Sequence, residues 1–165
     1  MERYIFLDID GVLNTNRSYK AYSSEGKPWR DDYGPFFDNE SVNNLRHIIE
    51  TTGADVIITS TWKYKGIDAM HTLWTLREMP GFLLGVTPEV TSNDFCMRSM
   101  EIKRWLAQNA PENPDDYRFV IIDDSSIFLP EHLPHLVSTS SSVGITPDDA
   151  EKAIAILTQT PLSDQ

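Results

Sequence analysis

The stretch YIFLDIDGV, Tyr4–Val12, decides the fold. Its apolar half carries no alternating polar residues, which predicts a strand buried on both faces, as in a parallel sheet. Side chains alternate along a strand, so Asp8 and Asp10 start on the same side, and Gly11 allows a sharp turn directly after them. Two carboxylates this close repel each other. The pair therefore indicates a site that binds a cation or moves a proton.

Two further apolar strands, over residues 55–58 and 119–122, also end in side chains that carry oxygen atoms. The carboxyl ends of parallel strands share one edge of the sheet, where open α/β folds bind ligands. We therefore expect the polar groups behind all three strands to meet in one crevice. These groups are Asp8 and Asp10, Thr59 and Ser60, and Asp123 and Asp124.

Helical periodicity and capping residues separate the strands. Helices are predicted over about 40–51, from 67 to near 79, over about 98–109, and from 147 to Pro161, with weaker strands over 82–86 and 136–137. This order is typical of an α/β fold. The prediction is a single domain over residues 1–165, a Rossmann-like three-layer sandwich with a mainly parallel central sheet.

Residues 15–38 show neither a helical nor an alternating period and are predicted to be a long loop or lid near the site. The segment holds four basic and four acidic residues, so its charges balance. Its aromatic residues are Tyr19, Tyr22, Trp29, Tyr33, Phe36 and Phe37. Such a mixture suits stacking on nucleic-acid bases. We favour the alternative, in which the rings pack the loop onto the domain.

The composition limits the classes of partner. A formal net charge of −11 over 165 residues disfavours extended binding along nucleic acid, although one phosphate or a nucleic-acid end remains compatible. Cys96 is the single cysteine, which excludes a disulfide within the chain and favours a reducing compartment. A first strand near Tyr4 leaves no room for a signal peptide, and no apolar run approaches the ~20 residues of a membrane span. These features predict a cytoplasmic protein without membrane contact.

Four converging carboxylates need a counter-charge, and their oxygen atoms suit Mg²⁺. A bound Mg²⁺ recruits phosphate oxygens, so that a carboxylate can attack phosphorus and form an aspartyl-phosphate. A second carboxylate can protonate the leaving oxygen and later take a proton from water. The hydroxyl groups of Thr59 and Ser60 can donate to the phosphoryl group, and a basic residue is still needed.

The motif Asp8-Ile9-Asp10-Gly11-Val12 resembles the first motif of the haloacid dehalogenase (HAD) superfamily of phosphatases, Thr59 its second, and Asp123-Asp124 its fourth. The resemblance implies that Asp8 is the nucleophile and Asp10 the general acid and base. It implies a metal held by Asp8, the backbone carbonyl of Asp10, and Asp124, with Asp123 alongside. Gly11 would make room for the phosphate.

The third motif of the superfamily is a basic residue, and two residues of this chain, Arg98 and Lys103, are candidates for it. Trp62 and the pattern Glu101-Ile102…Trp105-Leu106 resemble compact members of the superfamily in which a basic residue precedes this helix, and this favours Arg98. Lys63 is a further candidate for a phosphate contact. No interval is long enough for a large cap domain, so the chain resembles the capless type and the HAD domains of RNA-repair proteins.

The sequence thus predicts a Mg²⁺-dependent phosphomonoester hydrolase acting on a nucleotide or a nucleic-acid terminal phosphate. A phosphatase for a small phosphorylated metabolite and a HAD-like binding module with little or no catalysis remain alternatives. A calcium loop lacks its later ligands, and a receiver domain would carry its acidic pair early in the chain. We assign no metal to His132 and His135, and we expect Cys96 to be inert.

Overall fold

The computed structural model describes residues 1–91 and 95–159. Its strands are β1 (Glu2–Leu7), β2 (Arg30–Asp31), β3 (Gly34–Pro35), β4 (Asp55–Ile58), β5 (Leu83–Val86), β6 (Tyr117–Asp123) and β7 (Leu136–Ser138). Its α-helices are α1 (Asn16–Ser24), α2 (Asn39–Thr52), α3 (Ile67–Leu76), α4 (Met97–Asn109) and α5 (Pro147–Thr158). Short 3₁₀ turns lie at Thr61–Lys65, Pro114–Asp116 and Pro130–His135.

Five strands form one parallel sheet in the order β5-β4-β1-β6-β7. The strand that carries the first motif lies at the centre, between β4 and β6. Leu7, its last residue, pairs with Ile58 on one side and with Ile122 on the other. The three strands consequently end level with one another, as the apolar runs predicted.

Both faces of the sheet are covered, and alternate residues of each central strand enter different cores. Ile5, Leu7 and their neighbours on β4 and β6 pack against α2, α3 and α5. Tyr4 and Phe6 pack on the opposite face, against Ile102 and Trp105 of α4. The protein is therefore the predicted three-layer α/β sandwich.

Capping residues explain where two of the helices begin. The Asp38 carboxylate accepts the backbone N–H of Glu40 at the start of α2, and the helix stops at Gly53, whose φ is 69°. At α5 the Thr146 side chain and Asp149 form a reciprocal capping box, with Pro147 in the first turn. Pro161, the predicted end of this helix, lies outside the described residues.

The prediction of a structureless loop over residues 15–38 is wrong, because this segment contains α1 and the hairpin β2–β3. Thr15 caps α1 through a box with Ser18, and the helix is otherwise polar, so it has no apolar stripe for sequence periodicity to detect. The hairpin is fastened to the domain by Arg77, which ion-pairs with Asp31 at 2.7 Å and donates to the carbonyl of Gly34.

The expectation that the aromatic residues pack onto the domain holds for part of this segment. Phe37 is buried and Tyr33 packs against the core. Tyr19 and Trp29 instead remain on the surface. Over the two described ranges, the helices are each too short or too polar to cross a bilayer.

Candidate active site

Strand register alone brings three of the predicted site residues together. The N–H of Asp8 donates to Ile122 at 2.9 Å, and the N–H of Thr59 donates to Leu7 at 2.9 Å. Asp123 is the last residue of β6. Asp8 directly follows β1, and Thr59 directly follows β4. Both therefore lie beside Asp123, at the carboxyl edge of the sheet.

Three carboxylates form a cluster at this edge. Asp8, Asp123 and Asp124 each offer an oxygen atom within 4.8 Å of the others. The first two are buried, whereas Asp124 is exposed and faces the open side. Gly11 lies directly under Asp124: its φ is +77°, and a methyl group added there would overlap the Asp124 carboxylate. Gly11 was predicted to make room for a phosphate. In the structure the absence of a side chain at Gly11 makes room for the carboxylate of Asp124.

Arg98 supplies the positive charge of the cluster. One guanidinium nitrogen lies 3.1 Å from Oδ1 of Asp8 and 3.2 Å from Oδ2 of Asp123. Backbone groups hold the same carboxylates, because the N–H of Ile9 donates to Asp8 and the N–H of Ser125 donates to Asp123. Arg98 lies in the first turn of α4, on the other face of the sheet, and this geometry selects it over Lys103 as the basic residue beside Asp8.

One guanidinium does not neutralise this cluster. Burial, and then the negative charge of Asp123, raise the pKa of Asp8 to about 7. Burial also raises the pKa of Asp123. A further cation would relieve both, and three clustered carboxylates are the oxygen donors that Mg²⁺ takes. The residues present therefore fit a divalent metal at Asp8, Asp123 and Asp124.

Thr59 carries a hydroxyl group with no partner. The residue is 1% exposed, and among the described residues its Oγ1 is the one buried side-chain oxygen or nitrogen without a hydrogen bond. An unpaired buried hydroxyl costs free energy unless a ligand satisfies it. Ser60 is also buried, but its Oγ accepts the N–H of Trp62 and caps the following 3₁₀ turn.

Asp10 differs from the clustered carboxylates because it is exposed. Its Oδ1 accepts two hydrogen bonds, from Nδ2 of Asn14 at 2.7 Å and from Nε1 of Trp62 at 3.0 Å. Two donors on the same oxygen fix the plane of the carboxyl group and leave Oδ2 for proton transfer. Sequence reasoning missed both donors. Asn14 lies four residues after Asp10, outside the motif, and Trp62 entered the sequence analysis only through the family resemblance.

The two lysines predicted as phosphate contacts each form an ion pair with a glutamate. Lys63 is buried and lies 2.7 Å from the carboxylate of Glu101. Lys103 lies on the surface, 3.0 Å from Glu131. Both ammonium groups are thus occupied by glutamates, and we leave them out of the proposed mechanism. The ion pair of Lys63 with Glu101 has one sign in the sequence: Glu101 is an acidic residue among the inward-facing positions of α4.

The histidines and the cysteine stay apart from the carboxylates. His132 is buried and lies 3.0 Å from the hydroxyl of Ser99, and the ring of His135 stacks on Phe119. Cys96 is half-buried at the start of α4.

Comparison with protein families gave a match to the model described as the HAD domain in Swiss Army Knife RNA repair proteins, over residues 4–150. Neither the curated proteins nor the solved structures gave a match. The matched range contains the three strand ends, the basic residue of α4 and the first four residues of α5. The fold and the arrangement of these motifs agree with this match. The chain belongs to the family of HAD domains in Swiss Army Knife RNA repair proteins.

Proposed function

We propose that the protein is a Mg²⁺-dependent phosphomonoesterase that works through an aspartyl-phosphate on Asp8. The family suggests phosphatase-type chemistry at the level of the HAD domain. The observation that carries the proposal for this chain is the bridge from Arg98 to both Asp8 and Asp123. It places a fixed cation beside the nucleophile, where it can stabilise the equatorial oxygens of a transferring phosphoryl group.

In the first step, a carboxylate oxygen of Asp8 forms a bond to phosphorus while the bond from phosphorus to the leaving oxygen breaks. The leaving oxygen takes the proton that Asp10 carries on Oδ2. In the second step, Asp10 takes a proton from water, and the water oxygen attacks phosphorus and breaks the bond to Asp8. Inorganic phosphate is released and both carboxyl groups return to their starting states.

The remaining residues bind and orient the phosphate. The unpaired hydroxyl of Thr59 donates to a phosphate oxygen, and its burial keeps it free of competing water. Asp8, Asp123 and Asp124 would hold Mg²⁺, and the family resemblance adds the backbone carbonyl of Asp10 as a further ligand. When bound, the metal supplies positive charge that lets an anionic phosphate approach an anionic nucleophile.

The test of this mechanism is turnover of p-nitrophenyl phosphate with Mg²⁺ by the wild-type protein and by Asp8→Asn. We expect turnover by the wild-type protein, its loss in EDTA, and its loss in the variant. The wild-type protein should also bind beryllofluoride in a Mg²⁺-dependent way, as a mimic of the aspartyl-phosphate. Equal turnover by the two proteins would refute the role of Asp8.

For the substrate, we propose a nucleotide or a nucleic-acid terminal phosphate. The family description names RNA repair, and two surface aromatic residues, Tyr19 and Trp29, line a cavity together with Gly11 and Asn14. A small phosphorylated metabolite is the alternative, and a panel of nucleotides, 5′- and 3′-phosphorylated oligonucleotides and sugar phosphates separates the two. The net charge of −11 supports contact with one end rather than along a strand. We also propose a cytoplasmic location, on the ground of the single Cys96.

A HAD-like binding module is the competing function. An intact Asp10 with two hydrogen-bond donors on Oδ1 favours catalysis over this alternative. Mg²⁺-dependent phosphate binding with no turnover of any member of the panel would favour the module.

A further inference from the structure

A cavity of about 180 Å³ opens beside the proposed general acid. Gly11 and Asn14 form its inner end, and Asn14 is the residue whose amide holds Oδ1 of Asp10. In an in-line displacement the leaving group departs on the side away from the attacking oxygen and next to the acid that protonates it. The cavity therefore borders the residue that holds the proposed general acid, on the side where a leaving group would depart.

The outer wall of the cavity is aromatic. Tyr19 and Trp29 line it, with Phe36 and Pro35. The first two rings meet edge to face, with centroids 5.3 Å apart, and the guanidinium of Arg30 lies 5.7 Å from the Trp29 ring. This arrangement presents rigid ring surfaces and a nearby positive charge, the combination that single-stranded nucleic-acid sites use.

These two rings do not serve the core. Tyr19 is 50% exposed and Trp29 is 36% exposed, whereas Phe37 in the same segment is 6% exposed and packs against Trp62. Adjacent exposed aromatic residues that border a cavity are typical of a binding surface. Core packing thus accounts for Phe37, whereas Tyr19 and Trp29 contact each other and leave a large part of their ring surface exposed beside the cavity.

Polar groups complete the lining. Asn16 and Ser141 border the cavity, and the backbone of Asn16 is tied to Ser141 by a hydrogen bond of 3.0 Å. The exposed Asn16 amide carries both donors and an acceptor, so it can pair with the edge of a heterocyclic base. A volume of about 180 Å³ with one aromatic wall has room for a single base.

We propose that this cavity binds the nucleobase of the leaving group, and that stacking on Trp29 and Tyr19 selects a mononucleotide or a terminal nucleotide as substrate. The inference rests on the proposed phosphatase function and deepens it by assigning the part of the substrate that is released.

The experiment compares two substrates that differ in the base. One is adenosine 5′-monophosphate, and the other is ribose 5-phosphate, which carries the phosphate at the same position without the base. The measured quantity is the ratio of their kcat/KM values. We expect Trp29→Ala to lower this ratio by roughly 5- to 150-fold, the range that corresponds to loss of one stacked base, and Tyr19→Ala to lower it as well. Phe82→Ala, an exposed aromatic residue at the opposite edge of the sheet, should leave the ratio unchanged.

A second measurement does not depend on turnover. The Asp8→Asn variant, which cannot form the aspartyl-phosphate, is titrated with adenosine monophosphate while the indole N–H signals are followed by NMR, with Trp29 assigned through Trp29→Phe. A saturable shift of the Trp29 signal that ribose 5-phosphate does not produce supports the proposal. An unchanged ratio in Trp29→Ala, or an unmoved Trp29 signal, overturns it. Wild-type protein that hydrolyses no phosphate ester would refute the phosphatase function, and the titration would then decide the base site independently.

Discussion

Replacing Asp8 with asparagine should stabilise the metal-free protein, although it removes the proposed nucleophile. Asp8 is 6% exposed and shares its site with Asp123, so its negative charge is unfavourable in the folded state. An asparagine keeps the side-chain oxygen that accepts from Ile9 and removes the charge. Arg98 retains its ion pair with Asp123 in the variant.

The size of the effect follows from the pKa of Asp8, which lies at about 7 in the folded protein against an ordinary value of 3.8. A difference of about three in pKa corresponds to about 4 kcal/mol when the group is fully ionised. Asp123 shares the same repulsion, so we expect a gain of about 2–4 kcal/mol for the variant at pH 8, or roughly 5–15 °C in Tm for a chain of this size.

The direction of the pKa shift of Asp8 sets the pH range in which its charge destabilises the folded protein. Because the folded state binds the Asp8 proton more tightly than the unfolded state, the stability of the wild-type protein falls as the pH rises from about 4 to about 7. The advantage of Asp8→Asn should therefore be complete at pH 8 and shrink at pH 5. Saturating Mg²⁺ should stabilise the wild-type protein more than the variant and narrow the gap.

The assay is thermal unfolding in EDTA at pH 8 and pH 5, and in Mg²⁺ at pH 8. Asp10→Asn is the matched control: the same substitution two residues away, at an exposed carboxylate, should change stability by less than about 0.5 kcal/mol. If Asp8→Asn were no more stable than the wild-type protein in EDTA at pH 8, the argument that the carboxylate cluster lacks positive charge would be refuted.

Three further variants test other contacts. Trp62→Phe removes one of the two donors to Asp10, so kcat for an alkyl phosphate should fall roughly tenfold, while p-nitrophenyl phosphate, whose leaving group needs no proton, should change little; equal losses would contradict the positioning of Asp10. Lys63→Met leaves Glu101 buried without its partner and should cost about 3–5 kcal/mol in urea denaturation, which Lys63→Met/Glu101→Leu should largely recover; no recovery would point to another cause. Burial lowers the pKa of His132 below its usual 6.5, so this residue contributes stability above that pH which is lost as the pH falls; between pH 7.5 and pH 5.0 the urea midpoint of the wild-type protein should fall further than that of His132→Asn. Equal falls in the two proteins would exclude His132 as a source of the pH dependence.

The centre of the fold and most of the site could be predicted from the sequence because they follow from strand chemistry. Apolar runs before Asp8, Thr59 and Asp123 could only be buried parallel strands, and the level ends of such strands bring their next residues together. The basic residue could be narrowed to Arg98 or Lys103, and the preference for Arg98 came from the likeness to compact members of the superfamily, in which a basic residue precedes this helix.

The remaining features depend on contacts between distant segments. Helix α1 has one buried residue, Ser18, and Ser18 stands where a capping box usually has Glu or Gln, so neither periodicity nor capping marks it. The partner of Lys63 is Glu101, 38 positions later in the sequence, and only the packing of α4 on the sheet brings the two together. Sequence spacing cannot supply such a pairing.

The hairpin β2–β3, which Arg77 holds on the domain, also lies against Trp62, and this contact has a consequence for communication within the molecule. A Cβ at Gly34 would lie 2.6 Å from the indole ring, so the hairpin rests directly on the side chain that holds Asp10. Arg77 contacts both parts, because its guanidinium lies over the Trp62 ring and donates to the carbonyl of Gly34. A leaving group that displaces the hairpin would rotate the indole and tilt the acid. The hairpin, whose Pro35 borders the cavity, would thereby link the fit of the leaving group to the orientation of its proton donor.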